Sequence, residues 1–215
     1  NSVGLLNNTI LVDIGVPFKD VEPILEDIKY IVITHRHGDH LNKSTLRRVV
    51  SLKPLIRVII APYLYEEIES IVPADRIDVI NQNVWYMLND GVKMSTFNLY
   101  HNVDNIGLRV YKGDYKIFYA TDTYTLEGIE AKNYTHYLVE RNYCEDVVAD
   151  ILEKASESGE FTYVKRSMEN HLSKQKLELW LVKNNKNNGE VVYLHESDVS
   201  YNGTNRYIQF IVWRF

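Results

Sequence analysis

The stretch Thr34-His35-Arg36-His37-Gly38-Asp39-His40 closes residues 29–34, a short run rich in isoleucine and valine. Four potential metal ligands, His35, His37, Asp39 and His40, fall within six residues. On a regular strand alternate side chains share a face, so His35, His37 and Asp39 can converge, and a tight turn at Gly38 would bring in His40. Imidazole nitrogen combined with carboxylate oxygen suits zinc, manganese or iron. The bland alternative is a polar loop with three unrelated histidines. The chain has only seven histidines, and three crowd the end of one apolar strand, which favours the metal reading.

Outward from this cluster, apolar runs alternate with helical spacing. Residues 9–13, 56–61, 76–80, 84–88, 92–100, 106–111, 115–119, 137–140, 191–194 and 207–213 are strand-like. Residues 5–6 form a further short strand beside an Asn7-Asn8 turn. Residues 41–52 carry Leu46, Val49 and Val50 at helical spacing. Pro62 can open a helix running to about Ile71. Residues 145–156 stripe Val147, Val148, Ile151 and Leu152 on one face, and Ser173 is a candidate N-cap for a helix through Leu181. Asn89-Asp90-Gly91 and Lys112-Gly113-Asp114 are turn signals. The pattern is α/β with more than one sheet. No linker-like tract divides it, so a single domain over residues 1–215 is expected.

Composition narrows the function classes. The chain is 45% hydrophobic and 25% charged, which excludes a disordered or fibrous protein. One cysteine excludes an internal disulfide. Apolar runs such as residues 55–64 are broken by Arg57 and Pro62, far short of the roughly 20 residues a membrane span needs. No basic segment followed by an apolar one opens the chain, so no secretory leader is expected. The net charge of −5 argues against a long nucleic-acid track, because each phosphate contact needs a local cation. Three further residues, His101, Asp122 and His195, each stand just past a strand-like run, where a sheet can gather distant side chains.

His35-x-His37-x-Asp39-His40 after an apolar strand resembles the signature of the metallo-β-lactamase superfamily, and Leu11-Val12-Asp13-Ile14-Gly15 resembles its early strand ending in Asp-x-Gly. The resemblance implies a four-layer αββα sandwich and two divalent transition metal ions, Zn2+ by default with Mn2+ as the alternative. It assigns His35, His37 and His101 to the first ion, and Asp39, His40 and His195 to the second, with His171 as a competing candidate for the place of His195. Asp122, in Ala120-Thr121-Asp122-Thr123, is the bridging carboxylate. Asp39 also stands as a catalytic residue orienting the nucleophile. Asp13 would hold a ligating imidazole from behind.

Within the superfamily, Asp122 and His171-Leu172-Ser173 are most similar to a phosphodiesterase and exonuclease-like branch that includes bacteriophage enzymes degrading cyclic nucleotides. The branch implies His171 as a catalytic residue, for phosphate contact or acid catalysis; a hydrogen bond near a helix start is the alternative. Arg141 stands where the branch usually has serine, and Tyr143 is nearby with no histidine. Cys144 matches no ligand position and reads as a buried thiol. The expected activity is hydrolysis of a cyclic or short nucleotide. The alternatives are an exonuclease on RNA or single-stranded DNA, a thioester or lactam hydrolase, and a non-catalytic metal-binding scaffold. The expected partner is a small anionic nucleotide, with nucleic acid less favoured, no membrane, and a homodimer allowed. A cytoplasmic location is expected, in the host cell if a bacteriophage encodes the chain.

Overall fold

The computed structural model describes residues 4–6, 8–158, 164–197 and 211–213. The chain divides into two compact units, Asn1–Val84 with Tyr207–Phe215, and Trp85–Arg206. Each is built on a six-stranded sheet.

The first sheet has β1 (Gly4–Leu6), β2 (Ile10–Val12), β3 (Tyr30–Ile33), β4 (Arg57–Ile60), β5 (Ile77–Val79) and β12 (Ile211–Trp213), in the order β12-β1-β2-β3-β4-β5. Only the β1–β2 pair is antiparallel. Parallel strands are covered on both faces, which is why β2 and β3 are apolar and buried at every position. The helix α2 (Lys43–Leu52) buries Thr45, Leu46, Val49 and Val50. Asn42 caps it, accepting from the Thr45 N–H at 3.1 Å, a contact worth about 1 kcal/mol. The helix expected from Pro62 to Ile71 is instead a 3-10 turn, Pro62–Leu64, followed by the single-turn α3 (Tyr65–Ile68). Pro73 steers the residues ahead of it away from helical backbone. The short α1 (Phe18–Val21) is too brief to show a period.

The second sheet has β6 (Tyr86–Met87), β7 (Lys93–Leu99), β8 (Asn105–Lys112), β9 (Tyr115–Ala120), β10 (His136–Glu140) and β11 (Glu190–Leu194), in the order β11-β10-β9-β8-β7-β6. Strands β6 to β9 form an antiparallel meander, while β9, β10 and β11 are parallel. Two antiparallel steps make β7 run the same way as β9. The carboxyl ends of β7, β9, β10 and β11 therefore share one edge of this sheet. Helices α4 (Glu145–Ser158), α5 (Val164–Asn170) and α6 (Lys174–Asn184) complete the unit. Ser173 caps α6, its Oγ accepting from the Lys176 N–H at 3.1 Å. The strand expected over residues 207–213 is β12 at its end; residues 207–210, and Asn7 of the Asn7-Asn8 turn, lie outside the described residues. Among the described residues no helix is long and apolar enough to cross a membrane.

Part of the tyrosine content goes into the core of this second unit. Phe118 stacks between Phe97 and Trp180, with centroids 5.0 Å away on each side. Phe97 lies opposite Gly107 on the neighbouring strand, and a Cβ at Gly107 would stand 2.2 Å from the Phe97 ring. Tyr137 is fully buried. Its hydroxyl reaches the Ala131 and Asn184 carbonyls at 2.8 and 2.9 Å and accepts from the Tyr134 N–H at 3.0 Å. Tyr137→Phe strands the Tyr134 N–H and the Ala131 carbonyl in the core, while the Asn184 carbonyl keeps the Asn133 N–H at 2.9 Å. It is expected to cost about 1–3 kcal/mol, read as a lower urea midpoint with unchanged slope; an unchanged midpoint would show that the hydroxyl carries no stability.

Candidate metal centre

In the first unit the site grows from the ends of β2 and β3. The strand β3 stops at Ile33, and residues 38–40 form a turn in which the His40 and Leu41 N–H groups donate to the His37 carbonyl at 2.9 and 2.7 Å. The histidines thus converge through a turn and not through strand alternation. Gly38 stands in the turn expected there, and that turn makes no steric demand for glycine. Its φ is not positive and a Cβ there would meet nothing within 4 Å. The required glycine is Gly15, where a Cβ would lie 1.6 Å from the Asp39 carbonyl oxygen. The Asp-x-Gly pattern is a close approach of two backbones.

Asp13 is fully buried and holds a left-handed backbone at φ 63°. Its carboxylate accepts from the Thr34 N–H at 2.8 Å, from Thr34 Oγ1 at 2.9 Å, and from His40 Nδ1 at 2.7 Å. A carboxylate only accepts, so His40 carries its proton on Nδ1 and presents a bare Nε2. The single hydroxyl proton of Thr34 goes to Asp13, so the 3.0 Å contact from His35 Nδ1 to Thr34 Oγ1 must be donated by the imidazole. His35 therefore also presents a bare Nε2, which lies 3.1 Å from His37 Nδ1. Two nitrogens on one tetrahedral zinc, each about 2.0–2.1 Å from it, stand roughly 3.4 Å apart. Asp39 is half exposed, with Oδ2 3.9 Å from His40 Nε2.

In the second unit the candidate residues stand along the shared carboxyl edge: His101 after β7, Asp122 after β9, Glu140 at the end of β10 and His195 after β11. One potential ligand atom from each of Asp122, Glu140, His171 and His195 lies within 4.8 Å of the others. Glu140, fully buried, organises the group. Its Oε1 receives His171 Nδ1 at 2.6 Å and His195 Nδ1 at 2.9 Å. Its Oε2 accepts from the Thr123 N–H at 2.9 Å. Asp122 Oδ1 lies 3.4 Å from His171 Nδ1 and 3.3 Å from His195 Nδ1. His101 Nδ1 donates to the Asn170 carbonyl at 3.1 Å, which again makes Nε2 the nitrogen able to ligate, and its ring centroid is 5.5 Å from that of His171.

Asp122 and His195 both take left-handed backbone, each at φ 53°. A buried asparagine steadies each one. Asn105 Nδ2 donates to the Asp122 carbonyl at 2.8 Å, and Asn142 Nδ2 to the His195 carbonyl at 2.9 Å. Arg141, the departure from serine, packs its guanidinium 3.7 Å over the Tyr193 ring and pairs through Nε with Glu196 at 2.8 Å, flanking His195 on both sides. Cys144 is half-buried rather than buried, and joins no cluster of potential ligands among the described residues. A hydrogen bond from Gln175 holds its thiol below the usual pKa. From the sequence, Glu140 and Asn142 belong to a strand end that resembles the phosphodiesterase branch but carry no chemical role, and Asn105 draws no notice. For Glu140 a signal existed: an acid closing a wholly buried strand, as Asp13 and Asp122 follow theirs.

Residues 8–146 match the family model described as Beta-lactamase superfamily domain, well over half of the chain, and the chain belongs to that family. Solved structures similar to it include the metallo-β-lactamase fold protein YhfI from Bacillus subtilis, at TM-score 0.65 and 13% identity over 89% of this chain and 76% of that one. Zn2+-bound PqqB from Methylobacterium extorquens gives TM-score 0.62 and 12% identity, covering 89% and 73%. The short form of human tRNase Z gives TM-score 0.58 and 16% identity, covering 91% and 85%. A search of curated proteins by sequence found no match. The fold is the metallo-β-lactamase fold expected from the sequence.

Both donor sets fit a divalent ion: buried carboxylates, imidazoles of His35, His40, His101, His171 and His195 whose Nδ1 atoms face protein acceptors, and His37, which turns Nδ1 itself toward His35 Nε2. Asp13→Asn offers an amide N–H2 where His40 or Thr34 must donate. The variant is expected to lose about 10–100-fold in zinc affinity, measured by chelator competition. Wild-type affinity would show that Asp13 does not set the histidine tautomers.

Proposed function

We propose that this chain is a metal-dependent phosphodiester hydrolase acting on a cyclic or short nucleotide. The observation that carries the reading is the Glu140 bracket, one buried carboxylate oxygen that receives both His171 and His195 beside Asp122. The proposed ligands are His35, His37 and His101 for one ion, Asp39, His40 and His195 for a second, and Asp122 for both. Zinc is the proposed metal, as in the Zn2+-bound relative PqqB. Two such ions, when bound, would supply an activated water and offset the charge gathering on the phosphoryl oxygens.

The remaining chemistry belongs to the chain. Glu140 takes the Nδ1 proton of His171, so His171 faces substrate through Nε2 alone. That nitrogen is the one His171 would bring to a phosphoryl oxygen or to the leaving alkoxide oxygen. The backbone N–H of Thr123 fixes the Glu140 carboxylate, so the imidazole is aimed before substrate arrives. Asp39, half exposed, is placed to orient the attacking water. The absence of a cysteine ligand, and the tRNase Z likeness, favour a phosphodiester over a lactam. The net charge of −5 favours a small substrate over a polymer.

The test is hydrolysis of bis(4-nitrophenyl) phosphate by zinc- or manganese-loaded protein, beside nitrocefin and a glutathione thioester. Only the phosphodiester is expected to turn over. His195→Ala should lose bound metal. His171→Ala should keep its metal and lose activity by about 100-fold or more, the scale of a general acid. Turnover of nitrocefin or the thioester with none of the phosphodiester would refute the reading. Loss of metal from His171→Ala, with retention by His195→Ala, would exchange the two roles.

A further inference from the structure

Two tyrosines stand on the same strand edge as the candidate ligands. Tyr100 directly precedes His101 after β7, and Tyr124 comes two residues after Asp122. Two hydrogen bonds tie these segments together: the Tyr124 N–H donates to the Tyr100 carbonyl at 2.9 Å, and the Tyr100 N–H to Thr123 Oγ1 at 3.0 Å. Their positions are therefore set by the backbone that places His101 and Asp122. Yet the rings themselves remain in solvent, 43% exposed at Tyr100 and 41% at Tyr124.

The ring centroids are 5.8 Å apart and the planes meet at 52°. A tyrosine pair that stabilised only the fold would bury its faces, as Tyr134 and Tyr137 do in this unit. The rings of this pair instead meet at an angle, as a wedge, and about two-fifths of each residue is left to water. Tyr115, equally exposed, lies on the β8–β9 hairpin at the opposite edge of the sheet. Exposed tyrosine is thus not special in this chain; exposed tyrosine locked to the backbone of two candidate ligands is. Lys176, in the first turn of α6, brings its ammonium to the Tyr124 carbonyl at 3.4 Å, so the rim of the wedge carries a positive charge.

We infer that Tyr100 and Tyr124 form the base-binding wall of the site, taking the planar heteroaromatic base of a nucleotide whose phosphate faces His101 and His171. This deepens the nucleotide reading proposed above and rests on it. A base stacks on one ring face and meets the edge of the other, an arrangement aromatic quadrupoles favour. Stacking tolerates any base, because every base has a π-face. The wall would therefore select nucleotides as a class without discriminating strongly among bases.

The test is binding, kept apart from turnover. Adenosine 5′-monophosphate and ribose 5-phosphate are titrated calorimetrically into the full-length, zinc-loaded protein. The two ligands share sugar and phosphate and differ in the base. The wild type is expected to bind the nucleotide at least tenfold more tightly than ribose phosphate. Tyr100→Ala and Tyr124→Ala should each weaken nucleotide binding by about tenfold, the scale of one base–aromatic stack, and leave ribose phosphate binding unchanged. Tyr100→Phe and Tyr124→Phe should keep wild-type affinity, since the ring and not the hydroxyl is used. Equal affinity for both ligands in the wild type, or alanine variants that bind the nucleotide normally, would overturn the inference. Base-dependent binding without phosphodiester hydrolysis would leave the wall standing and sink the proposed reaction alone.

Discussion

The hydrogen bond between a buried carboxylate and an imidazole Nδ1 governs the candidate residues in each of the two units. A neutral histidine has one ring proton, and whichever nitrogen carries it cannot also present a lone pair. Asp13 binds the proton of His40 directly and that of His35 through the Thr34 hydroxyl. Glu140 does the same for His171 and His195. Four imidazoles thus receive their orientation from two acids that touch no substrate. Each acid sits where a strand ends, so the sheets transmit their rigidity to the ring nitrogens. The acids are in turn held by backbone N–H groups, from Thr34 and from Thr123.

Placing side chains at strand ends has a conformational cost. Asp13, Asp122 and His195 all turn the chain through left-handed backbone, each on the order of 1 kcal/mol above an ordinary conformation. The residue types soften that cost, since Asp and His are enriched in this region of φ/ψ space. Local contacts offset the rest. The Asp13 N–H donates to the Val32 carbonyl at 2.7 Å, and Asn105 and Asn142 hold the carbonyls of Asp122 and His195. A glycine would make these turns more cheaply, but it would bring no ligand.

Much of this was readable in the chain itself, for reasons that differ by element. β3 and β4 are legible because a parallel strand covered on both faces must be apolar throughout. α2 is legible from its apolar spacing and α6 from its capping residue, Ser173. α1 and α3 span a single turn each, too short for a period to emerge. The cluster from His35 to His40 is legible because its residues are neighbours in sequence. Strand alternation was expected to align His35, His37 and Asp39, with a turn at Gly38 bringing in His40; the strand stops at Ile33, and the turn over residues 38–40 is present. Gly38 drew attention by lying inside the motif, while the sterically required glycine, Gly15, is 23 positions before it.

What the sequence determined by itself was the set of chemical groups and their order: a compact histidine cluster, then His101, Asp122 and His195, each beyond an apolar run, with His171 ahead of a helix. That order suffices for the family, because apolar runs dictate strands and strand ends dictate where ligands emerge. The tertiary structure alone decided which groups meet. Glu140, His171 and His195 span 55 residues of chain, and only the parallel register of β10 against β11 brings Glu140 level with Leu194 and its carboxylate against both imidazoles. Exposure was decided the same way. Tyr100 and Tyr137 are the same residue type beside similar strands, and the packing of the second unit leaves one ring in solvent and buries the other completely. Register and packing depend on the whole chain at once, and no local pattern encodes them.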